Sequence, residues 1–372
     1  VKKAELKKIT DLLDDLNKRF NEAVKKKDDL QHQVEQCAQR LERAEKLISG
    51  LGGEYKSWSK KSEELAKDFE NVVGDIVIAS GVIAYLGIYT SVFRQKTISK
   101  WVKYLKDELQ IPCADPFSLV NTLGDPIQIR EWIISKLPKD EFSITNAIIY
   151  AKSIKFPLFV DPQGQGNRWV KNMEKDNELT VIKMSDHQFG RTLENCIQFG
   201  KPMLIENVAE TLDPILEPLL LKQIIVSGNR KLIKLGEQTI DYDENFRLYI
   251  TTKLRTPHYT PTVSTKVVLL NFGITLDGLD DQMLGIVVGK DESAMETKRE
   301  QIVIEQAEMN KKLVNLEDQI LRLLSEATGN ILDDEVLIDT LQKSKQASKT
   351  IEKRMSEAKI VEKQIDNVRQ EY

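Results

Sequence analysis

Residues 157–168 hold the strongest hint of chemistry in the chain. The apolar run Pro157, Leu158, Phe159, Val160 leads into Asp161, Pro162, Gln163, Gly164, Gln165, Gly166, Asn167 and Arg168, and a helix-compatible segment opens near Trp169. Strand, glycine loop and helix, in that order, are the layout of the phosphate-binding loop GxxxxGK[ST]. Its main-chain N–H groups cradle phosphate, its lysine reaches the β- and γ-phosphates, and its hydroxyl holds Mg²⁺. On that template Asp161 takes the first glycine and Gly166 the second, while Asn167 replaces the lysine and Arg168 the Ser/Thr. The backbone shape can survive these exchanges; the lysine charge and the hydroxyl are gone. A working site also needs an acidic strand end for Mg²⁺ and water. Residues Pro202–Asn207 offer one, with Glu206 where Asp is expected and Asn207 where the catalytic Glu belongs. Asn cannot accept a proton from water, so general-base work is lost there. A later run, Phe246–Ile250, ends in Thr251 and Thr252, placed to sense a γ-phosphate. The order of a nucleotide site is kept and its chemistry fails twice.

Plainer readings stand beside each element. Gly164 and Gly166 also suit a tight turn, Arg168 a solvated or helix-capping role, and Glu206 and Asn207 the cap of a following helix. His187 and His258 have no carboxylate, Ser or Cys partner in view, and neither GxSxG nor HExxH occurs, so no catalytic residue is expected. Cys37, Cys113 and Cys196 are odd in number and far apart, which fits a reduced intracellular compartment and excludes a zinc site. A net charge of −4 with 30% charged residues argues against nucleic acid as a partner. The longest apolar run is interrupted by Gly81 and Gly87, so no membrane span is expected. The chain starts inside a charged helical pattern without Met and stops inside another, as a piece of a longer protein would.

The elements that must position this site follow from periodicity. Leu6, Ile9, Leu13, Leu16, Phe20, Ala23, Lys27, Leu30, Val34, Cys37, Leu41, Ala44, Ile48 and Leu51 hold an a/d heptad register broken only by Lys27. That predicts one arm of a coiled coil, which needs a partner helix. Gly50, Gly52 and Gly53 disturb the register, and Tyr55–Val73 reads helical again. Ile76–Tyr89, apolar almost all round, predicts a buried helix. Trp101–Leu109 and Pro126–Leu137 read as helices and 116–124 as a loop. Beyond Pro138, apolar runs at 157–160, 179–184, 203–205, 246–251 and 267–271 alternate with helical segments, predicting an α/β sandwich on a five-stranded parallel sheet. Lys231–Leu235 and Gln238–Asp241 look like an inserted hairpin. From Asp277 the pattern is helical, with heptad stripes at Ile302, Gln306, Met309, Leu313, Leu316, Ile320, Leu323, Ala327 and again at Leu337, Leu341, Ser344, Ser348, Ile351, Met355, Ala358, Val361, Ile365, Val368, Tyr372. Gly329 and Asn330 interrupt them and Asp333 and Asp334 suit an N-terminal cap, so an antiparallel coiled-coil hairpin is expected.

The series Phe159–Trp169, Arg191–Asn195, Leu204–Val208, Leu212–Pro214 with Glu217 and Pro218, Thr251–Leu254 with Pro257–Tyr259, Asn271–Phe272 and Ile331–Asp334, flanked by the heptad helices, closely resembles dynein heavy chains over essentially the whole length. The resemblance implies that residues 1–65 are the returning arm of the stalk, whose microtubule-binding tip precedes Val1. It makes residues 66–140 a helical collar and 141–290 the large subdomain of the fifth AAA+ module, with a degenerate nucleotide site. Residues 291–372 become the buttress, or strut, that touches the stalk, and the small subdomain of the module follows Tyr372. The wording around Asp161–Trp169 is nearer to axonemal chains, implying cytoplasm, cytoskeleton and the axoneme of cilia or flagella. No nucleotide is expected in this module, ATP and Mg²⁺ being bound by other modules of the parent chain. The implied partners are the preceding stalk helix, neighbouring AAA+ modules, the microtubule and other dynein chains. Lys266 sits where an arginine can reach a neighbour's nucleotide, and as a point charge it makes a doubtful trans contact. Two other classes suit parts of the pattern: a coiled-coil P-loop ATPase of chromosome-maintenance type, which needs a Walker lysine and an LSGG-type signature absent here, and a structural filament protein, which the α/β stretch opposes.

Overall fold

The computed structural model describes residues 2–228, 230–291, 293–326 and 335–369. They fall into two compact units, residues 1–63 with 311–357 and residues 64–310 with 358–372.

Helix α1 spans Lys2–Gly81 and passes through Gly50, Gly52 and Gly53 without a break. Each glycine costs a helix about 1 kcal/mol against alanine, which long flanking stretches of good helix formers absorb. A π-helical turn, Val82–Leu86, continues it. Ile78, Ala79, Val82 and Leu86 are buried, but Ile76, Val77, Tyr85 and Tyr89 are exposed, so the expectation of burial all round is corrected to one face. Residues Trp58–Leu86 also prove long and apolar enough to cross a membrane by length and composition, contrary to the reading of the glycine-interrupted run. The heptad positions Leu13, Leu16, Phe20, Leu30, Val34 and Leu41 are exposed, Leu16 at 63%.

The collar continues with α2 (Ser91–Asp107), α3 (Leu119–Leu123), α4 (Pro126–Ile134) and α5 (Glu141–Lys152). Helix α2 starts ten residues before Trp101, and α3 occupies a stretch that reads as loop. Ser118 caps α3 by accepting from Asn121 N–H, as Asp125 and Asp140 cap α4 and α5. Buried Arg94 on α2 donates to the carbonyls of Gly87 and Tyr89 and to Asn146 Oδ1, and lies over the Phe142 ring. It fastens the turn that follows α1 to α5.

The sheet follows: β1 (Pro157–Val160), α6 (Gln165–Met173), β2 (Thr180–Lys183), α7 (Phe189–Gln198), β3 (Met203–Glu206), α8 (Glu217–Leu220), β4 (Ile224–Ser227), β5 (Arg230–Leu235), β6 (Gln238–Asp241), β7 (Leu248–Thr252), α9 (Pro261–Ser264) and β8 (Val268–Asn271). Its order is β2-β3-β7-β1-β8, with every pairing parallel. Strand alternation splits the core between the two faces. Phe159, Leu204, Tyr249 and Leu270 pack with α1, α2 and α5, while Leu158, Val160, Met203, Ile205, Leu248 and Ile250 pack with α7 and α8. The inserted hairpin is in fact three-stranded, β4-β5-β6, and Ile233, Leu235 and Ile240 bury its inner face.

Then come α10 (Leu276–Asp291), α11 (Ser293–Glu326) and α12 (Glu335–Arg369). Along α11, Ile302 and Ile320 are buried and Gln306, Met309, Leu313 and Leu316 half-buried; along α12, Ser348, Ile351, Met355, Ala358 and Val361 are half-buried. The heptad positions are thus the covered ones. Ala327, Gly329, Asn330, the Ile331–Asp334 motif with its cap, and Tyr372 lie outside the described residues.

Candidate functional site

In a parallel sheet the ligand crevice lies beyond the carboxyl ends of the strands. Here β3, β7 and β1 are neighbours, so residues 161–168, Glu206–Asn207 and Thr251–Thr252 meet at one edge. They line a cleft of about 520 Å³ that takes in Gly164, Asn167, Arg168, Glu206, Asn207, Thr251 and Thr252. Gly166 lies buried behind the lining, and Lys266 is elsewhere.

The loop keeps the shape that the spacing predicts. Gly164 has φ +79, a left-handed conformation that glycine adopts without cost, and α6 starts directly after it. The N-terminal N–H groups of α6 form a nest that would receive an anion. Its occupant is Asp161, only 2% exposed. Asp161 Oδ1 accepts from Gln165 N–H and Oδ2 from Asn167 N–H, both at 2.8 Å. Burial pushes this carboxyl above its usual range, opposed by N–H groups from Gly164 to Asn167.

Asn167, at the lysine position, points its amide at Glu206 Oε1 (2.8 Å) and lies 3.5 Å from Thr251 Oγ1. Lys171, one turn along α6, brings its ammonium to the same Glu206 oxygen at 2.7 Å. Burial raises the Glu206 carboxyl, but the bonds from Lys171 and Asn167 outweigh it and hold the group below its usual range. Both threonine hydroxyls serve the main chain: Thr252 Oγ1 donates to Val208 O at 2.7 Å and Thr251 Oγ1 to Ile205 O at 3.4 Å. Asn207 has φ +53, a region where Asn is enriched and Glu is not. Arg168 is exposed at the rim. Lys266, whose side chain is largely covered, pairs with Glu217 of its own chain.

Sequence reasoning missed three contributors. Asp161 was visible as an acid at a glycine position, and Lys171 lies one helical turn beyond Asn167. Glu174 carried no signal, yet it is 0% exposed and gathers Tyr249 OH (2.5 Å), Arg247 Nη1 (2.9 Å) and Asn177 Nδ2 (2.7 Å), tying α6 to β7 beneath the cleft.

Comparison with known proteins gives this geometry its context. The profile "ATP-binding dynein motor region" matches residues 130–351. The chain belongs to the dynein heavy chain family. The profile "Microtubule-binding stalk of dynein motor" matches residues 1–105, which takes in all of α1 and α2 up to its last two residues. "Dynein axonemal heavy chain 3" of Homo sapiens is 48% identical over 371 residues, covering 100% of this chain and 9% of the relative. Its Mus musculus counterpart is 49% identical over 334 residues (90% and 8%), and "Dynein axonemal heavy chain 1" of Homo sapiens 44% over 370 residues (100% and 9%). The chain therefore spans about a tenth of the length of these dynein heavy chains. Membership sets aside the chromosome-maintenance and filament readings.

A nucleotide with Mg²⁺ does not fit the residues of this dynein pocket. No lysine stands at Asn167, no hydroxyl at Arg168, the nest holds a carboxylate, and the metal-side acid Glu206 is tied to Lys171.

Proposed function

We propose that this segment is a non-hydrolytic AAA+ module of an axonemal dynein motor ring, relaying rearrangements of the ring through buttress and stalk to a microtubule-binding tip. Nucleotide chemistry belongs to other modules of the parent chain, and this one binds neither ATP nor Mg²⁺. Its partners are the preceding stalk helix, the neighbouring modules, the microtubule and further dynein chains, and its place is the axoneme of a cilium or flagellum. What carries the reading is one grouping: residues 1–63 of the stalk arm share a compact unit with 311–357 of the α11–α12 region, where Lys61 Nζ lies 3.9 Å from Glu317 Oε2. A force on the hairpin is thereby delivered to the stalk helix.

A coiled coil can respond by sliding, because its a/d seam permits alternative registers. Ala23, Lys27, Cys37 and Ala44 are weak seam positions that lower the barrier between registers. Replacing Ala23 and Lys27 with Leu in the full heavy chain is expected to lock one register, so that microtubule affinity stops responding to nucleotide. Co-sedimentation with and without ATP measures this, and an unchanged response sinks the sliding mechanism. Labelled ATP cross-linking to peptides of this cleft in the unmodified chain would contradict the inert pocket.

A further inference from the structure

The phosphate nest at the start of α6 is not vacant. We propose that Asp161 is a built-in anion: its carboxylate takes the position of a nucleotide phosphate, as the Lys171 ammonium on Glu206 takes that of the metal, and the loop stays in its occupied form without any ligand. This rests on the reading of the cleft as a degenerate nucleotide site and adds how the degeneracy works.

The geometry carries it in three ways. First, the acid is not an ordinary helix cap. The cap position is Gly164, which has no side chain, and Asp161 reaches the nest from the end of β1, where the loop begins. Both of its oxygens are engaged by α6 N–H groups, as phosphate oxygens would be. Second, Asp161 is held in place, since its own N–H donates to Thr252 O at 2.9 Å on β7 and its side chain is shielded from water. Third, the carboxylate is packed against a glycine in the first turn of the helix. A Cβ on Gly166 would stand 3.5 Å from Asp161 Oδ2 and 3.2 Å from Phe272 Cγ. A phosphate arriving there would also meet a like charge in a poorly screened setting. This loop is held by an anion of its own chain, which suits a block that transmits motion and does not cycle.

The test uses the full heavy chain, pyrophosphate with Mg²⁺ as probe, and hydrogen exchange read on the peptide covering 161–173. In the unmodified chain the Gln165 and Asn167 amides should be protected and indifferent to pyrophosphate. In Asp161→Gly their exchange should rise about tenfold or more, and pyrophosphate should slow it again. Asp161→Asn, nearly the same size, should raise the exchange without restoring a pyrophosphate response, and it gives a readout if the glycine variant fails to fold. Unchanged exchange in either variant, or a glycine variant deaf to pyrophosphate, overturns the built-in anion while leaving the inert module standing. Protection by pyrophosphate in the unmodified chain overturns both.

Discussion

Tyr249, Glu174 and Asp161 show how this module spends its buried polar groups on cohesion. The Tyr249 hydroxyl donates to Glu174 and lies 2.8 Å from the Tyr150 hydroxyl, and burial together with those neighbours raises its pKa well above that of a free phenol. Tyr249→Phe should therefore cost about 1–3 kcal/mol, since it leaves a buried carboxylate one donor short. Urea denaturation measures the loss, and a change inside about 0.5 kcal/mol would mean that Arg247 and Asn177 suffice. Glu206 supplies a pH signature. Its folded pKa lies below the ordinary 4.5, so its contribution is complete above that value and is lost as pH falls through the folded one. Stability measured from pH 6 downward (about two units around the ordinary carboxylate range) should fall less steeply in Glu206→Gln than in the unmodified chain. Equal slopes would remove Glu206 from the linkage. Of the site, the positions at 164–168, 206–207 and 251–252 were legible because strand ends and glycine spacing are written locally. The partners of Glu174 were not, because Arg247 and Tyr249 lie 73 and 75 residues further along the chain.

At the scale of elements, the long heptad helices and the five core strands are legible because each repeats one period over many residues. What escaped was short or one-sided. Helix α3 has five residues and owes its start to a single Ser118 cap, and β4 is half of an edge pairing whose side chains are mostly exposed. The exposed face of Ile76, Val77 and Tyr85 is apolar in composition, so periodicity alone could not separate it from the buried face. Gly74 marks where α1 packs closely against the 112–113 segment. A Cβ there would lie 2.3 Å from Pro112 O and 2.7 Å from Cys113 Cβ. Because the first of these is backbone, Gly74→Ala should destabilise the block by about 1–3 kcal/mol through overpacking. Thermal unfolding checks this; an unchanged midpoint would show that the 112–113 segment yields.

At the scale of the whole molecule, α1 runs from exposed heptad positions into residues buried in the core. The seam positions of α1 from Leu13 to Leu41 are exposed, whereas the turn that continues the same helix is pinned by Arg94 and by the Asn271 N–H to Gly87 O bond of 2.9 Å. The locking expected from leucines at 23 and 27 belongs to this scale. It adds apolar area at two successive seam positions of one register, at roughly 25 cal/mol per Å² buried, while leaving the sheet block untouched. The block has no stake in that change, so its stability should not move with it.

The residues by themselves determined that the chain carries two heptad systems around an α/β sandwich, and that its phosphate loop lacks the lysine and hydroxyl for catalysis. Those conclusions depend on period and spacing, which are properties of a stretch. Only the tertiary structure decided what fills the pocket, that Lys266 turns to Glu217, and that Lys61 stands beside Glu317. Each of these is a meeting of groups distant in sequence or oriented by a fold. The nest at α6 is written in the loop; that the loop's own acid has closed it is visible only once β1 has aimed Asp161 inward.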